Sequence, residues 1–132
     1  VLPTLIKKFH QACLENSQKV TLWGTGKPKR EFFYVDDLAE ACLFLLKKYN
    51  RPEVINVGVG RETSIARLAQ KIKQISGFSG ELVYDRSRPD GNPRRLLDTR
   101  KISELGWKAK TSLDEGLQLT WNWYLRNISK FK

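Results

Sequence analysis

A glycine-rich stretch at residues 23–37, WGTGKPKREFFYVDD, constrains the fold more than any other part of the chain. The runs at 20–23 and 32–35 are rich in β-branched and aromatic residues, which predicts a strand on either side of the glycines. Gly24 and Gly26 interrupt the pattern, because glycine permits backbone angles and close approaches that other residues do not. Asp36 stands where an N-cap carboxylate belongs, before an apolar-periodic helix. We therefore expect a hairpin that leads directly into a helix.

The same stretch carries cations beside an aromatic side chain. Lys27, Lys29 and Arg30 follow Trp23 within the turn. A flat aromatic ring next to positive charges suits a nucleoside diphosphate, which needs a surface for its base and charges for its phosphates. The alternative is a basic, solvated loop with a core tryptophan, and these residues taken alone favour that alternative.

The remaining elements predict an α/β chain. Helices are expected at 2–16, at 37–49, at 65–76 with a Thr63 or Ser64 cap and Gly77 as the stop, at 99–105, and from Ser112 onwards. The run 81–85 predicts a strand, and 54–57 predicts a strand that is buried on both faces. The helix at 37–49 is apolar around most of its circumference, which predicts burial on more than one side. Because a chain of 132 residues supplies only a modest core, both features indicate that it belongs to a larger body.

The loop at 85–95 is the second unusual segment. It contains four arginines, two aspartates and two prolines, and Pro-Asp-Gly within it is a strong turn signature. Arginines held by a stiff loop are suited to clamp a diphosphate. An ordinary solvated surface loop is at least as good an interpretation of this composition.

Charge and cysteine content narrow the classes of function. The formal net charge of +10 implies an anionic partner, but the charge is spread along the chain rather than gathered in one arm. Cys13 and Cys42 lack the spacing of a zinc site or a disulfide scaffold, so we expect two buried, reduced thiols and no metal. His10, the single histidine, is expected on a helix surface. No apolar run approaches the length that spans a membrane.

Six short motifs occur in an order and spacing that characterise one family. They are Val1-Leu2-Pro3, Trp23-Gly24-Thr25-Gly26, Arg30-Glu31-Phe32, Tyr34-Val35-Asp36-Asp37-Leu38-Ala39, Ile55-Asn56-Val57-Gly58 and Arg88-Pro89-Asp90-Gly91. Over residues 1–127 the chain resembles the C-terminal, substrate-binding portion of the extended short-chain dehydrogenase/reductases that act on nucleotide sugars. The Pro-Asp-Gly loop with its Leu-Leu-Asp continuation resembles the members that epimerise and reduce GDP-4-keto-6-deoxymannose. The resemblance implies an α/β fold, including elements that pack on a Rossmann sheet.

The resemblance also implies that this chain contains a substrate site, and that the family's catalytic groups belong to a part of the protein outside this chain. The implied GDP-sugar-binding residues are Val1, Leu5, Lys8, Trp23, Arg30, Asp90 and Arg95. Lys8 stands where the family often has arginine, and lysine cannot form the same fork on a phosphate. No residue of this chain matches the family's NADPH loop, its Tyr-x-x-x-Lys pair or its catalytic cysteine and histidine. We therefore expect a chain that is inactive by itself and binds no cofactor.

The expected parent is a cytoplasmic, homodimeric, NADP(H)-dependent enzyme whose partner is a GDP-sugar, with no nucleic acid or membrane involved. Its expected product is GDP-L-fucose. Another NAD-dependent sugar-nucleotide epimerase or dehydratase is one alternative, and a basic α/β nucleic-acid-binding module is the other. Strongly salt-dependent oligonucleotide binding without GDP binding would favour the latter.

Overall fold

A computed structural model describes residues 1–131, with side chains through residue 129. The helices are α1 (Leu2–Leu14), α2 (Val35–Lys48), α3 (Ile65–Ser76), α4 (Arg100–Glu104) and α5 (Leu113–Asn127), followed by a 3₁₀ turn at Ile128–Phe131. The strands are β1 (Lys19–Trp23), β2 (Lys29–Arg30), β3 (Thr63–Ser64), β4 (Glu81–Asp85) and β5 (Arg94–Arg95). The predicted α/β class is confirmed.

Two small sheets connect distant parts of the chain. β1 pairs in parallel with β4, in a register that runs from Lys19 opposite Glu81 to Trp23 opposite Asp85. In the second sheet β2 lies in the middle, antiparallel to β3 and parallel to β5. We call residues 24–28, between β1 and β2, the glycine turn. The two parallel pairs bring the two ends of the 85–95 loop next to this turn.

The main core lies between α1, α3, α5 and the first sheet. Its best-buried members include Phe9, Leu68 and Ile72, and the Phe78 ring packs edge-to-face on Phe9. A smaller cluster of Ala41, Ile102 and Trp107 lies under α2. The body of the fold is thus built on apolar stripes at helical spacing, as the sequence predicts.

Helix ends follow their local sequence signals. The Ser64 hydroxyl accepts a hydrogen bond from the Arg67 amide at 3.2 Å, and Gly77 ends α3 in the left-handed conformation at φ 71°. The Ser112 hydroxyl caps α5 through the amide of Glu115 at 3.2 Å. These three predictions are confirmed, because each depends on residues within one turn of the helix end.

The predicted hairpin is wrong. β1 and β2 are not paired with each other, and residues 32–34 form no strand. The aromatic side chains there serve the packing instead, since Phe32 lies against the main core and Phe33 packs on Trp107. The Asp36 cap is also wrong: α2 begins at Val35 and has no side-chain cap at its start.

Asp37, next to the expected cap, holds α2 to the segment before α5. Its side chain is only 6% exposed. It accepts hydrogen bonds from the Lys110 and Thr111 amides at 3.2 and 2.9 Å and from the Thr111 hydroxyl at 3.0 Å. A buried carboxylate is stable there because three donors satisfy it.

The strand predicted at 54–57 is absent from the described residues, and Val54 is 87% exposed. The expectation of two buried thiols is wrong for Cys42, which is exposed, and Cys13 is only partly buried. The corrections for Val54 and Cys42 concern the surface around α2, whereas Cys13 lies on α1 at the edge of the main core. Within residues 1–131 no helix combines the length and hydropathy needed to cross a bilayer.

Candidate substrate-binding site

A cavity of about 330 Å³ lies between α1, the end of β1, the glycine turn and the tip of the 85–95 loop. Six of the seven residues predicted to bind substrate line it: Val1, Leu5, Lys8, Trp23, Arg30 and Asp90. Leu22, Pro28 and Ile65 add apolar wall. Residues from four separate segments of the chain therefore share one cavity.

Trp23 presents its ring at the mouth of this cavity, with 66% of the residue exposed. The Lys8 ammonium lies 5.7 Å from the ring centroid and donates a hydrogen bond to the Thr21 carbonyl at 2.8 Å. The Arg88 guanidinium lies 5.2 Å from the same ring. Two cations on one exposed indole form an electropositive aromatic surface. Arg88 was not among the residues predicted to bind substrate, although it belongs to the arginine-rich loop and begins the Arg88-Pro89-Asp90-Gly91 motif.

Arg30 differs from the charged residues beside it, because the side chains of Lys29 and Glu31 have partners elsewhere in the chain. Lys29 pairs with Glu62 at 3.2 Å, and the Glu31 carboxylate accepts a hydrogen bond from the Gly60 amide at 2.6 Å. The Arg30 guanidinium donates to the Lys29 carbonyl at 2.8 Å, and among residues 1–129 no carboxylate forms an ion pair with it. Within these residues the positive charge of Arg30 is therefore not offset by an ion pair, and such a guanidinium is able to bind an anion.

Arg95, which the family resemblance assigns to the same site, does not line this cavity. It lines an adjacent cavity of about 330 Å³, which Arg30 also borders. The parallel register sets Arg30 of β2 directly opposite Arg95 of β5. Arg94 is bound to Glu62 at 2.5 Å, whereas no ion pair of Arg95 is found within the described side chains. The guanidinium groups of two residues on adjacent strands thus border the same adjacent cavity.

The carboxylate of Asp90 is hydrogen-bonded to Thr25 of the glycine turn. One carboxylate oxygen accepts the Thr25 amide at 2.6 Å, and the other accepts the Thr25 hydroxyl at 2.7 Å. The Thr25 hydroxyl and amide, with a smaller contribution from Lys27, hold the pKa of Asp90 below its usual value. Asp90 lines the cavity as an ionised carboxylate whose two oxygens are already bound.

The expected lack of catalytic side chains is not tested by this geometry. His10 lies outside the cavity and packs edge-to-face on Tyr124 at 5.4 Å. Across the described residues, no cluster of three or more His, Cys, Asp or Glu side chains is placed to hold a metal ion.

A third and larger cavity, of about 570 Å³, is mainly apolar. It runs along α5 and the start of α2, with Phe32, Leu113 and Trp123 among its lining residues. Beyond it, α2 exposes a row of side chains at helical spacing, which we call the α2 face: Val35, Leu38, Cys42, Leu43 and Leu46.

Known proteins resemble the chain in sequence and in fold. Residues 1–58 match the model of the NAD dependent epimerase/dehydratase family. The Probable GDP-L-fucose synthase 1 of Oryza sativa subsp. japonica is 51% identical over the whole chain, which covers 40% of that protein. The GDP-L-fucose synthase 1 of Arabidopsis thaliana is 48% identical over 97% of the chain, and the match covers 40% of the protein.

A solved GDP-L-fucose synthetase from Naegleria fowleri, bound to NADP, superposes with a TM-score of 0.91 and 32% identity. The superposition covers 98% of this chain and 41% of that one. The chain thus spans about 40% of the length of the curated relatives that it matches.

In fold and sequence the chain is similar to the extended short-chain dehydrogenase/reductases that act on nucleotide sugars. Within that class its similarity is to the GDP-L-fucose synthases. The family resemblance drawn from the six motifs is confirmed, and the nucleic-acid-binding alternative is not favoured.

Proposed function

We propose that this chain is the C-terminal, GDP-sugar-binding portion of a GDP-L-fucose synthase. The whole enzyme would convert GDP-4-keto-6-deoxymannose to GDP-L-fucose by epimerisation and NADPH-dependent reduction, as a cytoplasmic homodimer. The observation that carries the proposal is the cavity that joins Trp23, Lys8 and Arg30. An aromatic surface beside an unpaired guanidinium suits a nucleoside diphosphate better than an uncharged ligand.

Different residues of the cavity are suited to bind different parts of the GDP group. Arg30, with Arg95 beside it in register, offers planar forks that match diphosphate oxygens. Trp23 offers a ring surface for the base or an indole N–H for a polar group. Lys8 contributes a point charge, since its ammonium cannot bind two phosphate oxygens in a fixed plane.

The chemistry itself is assigned to other parts of the whole protein. Hydride transfer needs a bound NADPH and a Tyr-x-x-x-Lys pair, and epimerisation needs an acid and a base within hydrogen-bond reach of the sugar. The residues of this chain that line the cavity offer binding groups instead. We therefore propose that the 132-residue chain recognises the GDP-sugar but does not turn it over.

Calorimetric titration of the chain with GDP tests the proposal. Arg30→Ala is expected to weaken GDP binding by about 1.5–3 kcal/mol, the scale of a hydrogen bond to a charged group. Arg51→Ala is the matched control, since Arg51 is an exposed arginine beyond α2; it should bind GDP as the parent chain does. Equal GDP affinity for Arg30→Ala and the parent would contradict the site assignment.

Titration with a single-stranded oligonucleotide addresses the remaining alternative. A nucleic-acid module would bind it with an affinity that falls steeply with salt, and would ignore GDP. A GDP-sugar site should instead bind GDP in physiological salt and discriminate against the oligonucleotide.

A further inference from the structure

The tip of the 85–95 loop is attached to the glycine turn by Thr25 and Asp90, two residues that lie 65 positions apart in the sequence. Both carboxylate oxygens of Asp90 are engaged, one by the amide and one by the hydroxyl of Thr25. The Thr25 hydroxyl in turn accepts the Lys27 amide at 3.2 Å, which stiffens the turn itself. Charge-assisted hydrogen bonds of this kind are stronger than neutral ones.

Gly24 makes this approach possible. Its φ of +76° lies in the left-handed region, and a Cβ built there would overlap the Asp90 carboxylate. The Gly24 amide also donates to the Asp85 carbonyl at 2.8 Å, so the turn holds the beginning of the loop as well as its tip. A side chain at position 24 would therefore separate the two segments.

The attached loop forms one wall of the candidate site. Arg88 lies over the Trp23 ring at 5.2 Å, and Pro89 and Asp90 line the cavity. If the loop moved away, the cavity would lose this wall and Trp23 would lose one of its two cations. The position of the loop thus decides the shape and charge of the site.

We infer that Thr25 and Asp90 form a latch that positions the arginine loop, and with it Arg88, over the cavity. This inference rests on the proposed function only in naming the ligand as a GDP group. Asp90 is then a positioning residue, because its acceptor oxygens are directed at Thr25 and not at the ligand. The lowered pKa of Asp90 agrees with a carboxylate that stays ionised in this role.

Two measurements on the complete chain test the latch. The first is tryptic cleavage after Arg86, an exposed site within the loop whose cutting rate follows loop opening. The second is GDP affinity by calorimetry. The variants are Thr25→Val, which removes the hydroxyl at nearly constant shape, Asp90→Asn, their combination, and Thr25→Ser as the conservative rescue. Thr63→Val on β3 is the matched control.

The latch predicts about tenfold faster cleavage after Arg86 in Thr25→Val and Asp90→Asn, from the loss of a hydrogen bond to a charged group. GDP affinity should fall about fivefold or more in the same variants. The double variant should be no worse than either single one, because both remove the same interaction. Thr25→Ser and the control should behave as the parent chain.

Each other outcome decides against one claim. Unchanged cleavage in both single variants would overturn the latch, whatever happens to GDP binding. Faster cleavage with unchanged GDP affinity would overturn the positioning role. Weaker GDP binding in Asp90→Asn alone would make Asp90 a direct ligand. A parent chain that binds no GDP would refute the proposed function, while the cleavage rates would still decide whether the latch exists.

Discussion

The cavity at Trp23 and the α2 face differ in how far the chain completes them by itself. Around the cavity, the charged neighbours of Arg30 are bound by Glu62 and Gly60, and Thr25 binds Asp90. On the α2 face, Leu43 and Leu46 remain 60% and 82% exposed on a helix whose sequence predicts burial. One region is a satisfied polar framework, and the other is an apolar surface with little to cover it.

The two regions therefore need different amounts of surrounding structure. A binding cavity is defined by a few directional contacts, which nearby loops can provide. Burying an apolar helix takes a large contiguous surface, which a chain of 132 residues cannot offer on every side.

The largest expected effect concerns catalysis. The chain alone should show no NADPH oxidation with a GDP-4-keto sugar, because the proposed site supplies binding groups and no hydride-transfer set. Absorbance at the NADPH band, followed over hours at high protein concentration, is the measurement. Turnover above a buffer control would contradict the division between binding and chemistry and would point to a catalytic site among these residues.

The second prediction concerns the geometry of the cation at position 30. Arg30→Lys should recover only part of the GDP affinity lost in Arg30→Ala, because a lysine keeps the charge but loses the bidentate fork. Calorimetry of the two variants side by side measures the recovered part. Full recovery would mean that the cavity uses a general positive field and no specific phosphate fork.

The third prediction concerns the α2 face. We expect concentration-dependent self-association of the chain, which Leu43→Lys combined with Leu46→Lys should reduce. Sedimentation velocity under reducing conditions measures it, so that the exposed Cys42 cannot form disulfides. Gln70→Lys with Gln74→Lys adds the same charge at exposed positions of α3 and is the control. A parent chain that stays monomeric would show that the α2 face needs no cover.

The smallest effect concerns pH and the second sheet. Hydrogen bonds from Arg94, and then from Lys29, hold the pKa of Glu62 below its usual value. Because the pKa is lowered by folding, the stabilisation is present above the unfolded pKa and is lost as the pH falls through the folded one. Glu62→Gln should therefore lower the melting temperature slightly at pH 7 and not at about pH 3.

Glu104→Gln, at an exposed position of α4, is the matched control for this pH comparison. It should leave the melting temperature nearly unchanged at both pH values. A loss of stability in Glu62→Gln that is the same at both would show that its packing matters and its charge does not.

The local features of this protein follow from residues that are close together in the sequence. The Ser64 and Ser112 caps, the Gly77 stop and the stripe of α3 were predictable, because each depends on residues a few positions apart. The motifs also indicated the family that the chain resembles, and six of the seven proposed ligand residues share one cavity. Motif order carries that information because relatives of this class share the fold.

Which segments lie next to each other depends on contacts between distant parts of the chain. The aromatic run at 32–34 has strand propensity, but Phe33 packs on Trp107 and the chain turns into α2. β1 pairs with β4 instead of forming a hairpin, and Asp90 closes on Thr25. These contacts join residues tens of positions apart. The energies of these contacts come from packing and hydrogen bonds between distant residues, which a local sequence pattern does not reveal. The sequence therefore indicated the chemistry of the site but not which segments enclose the cavity.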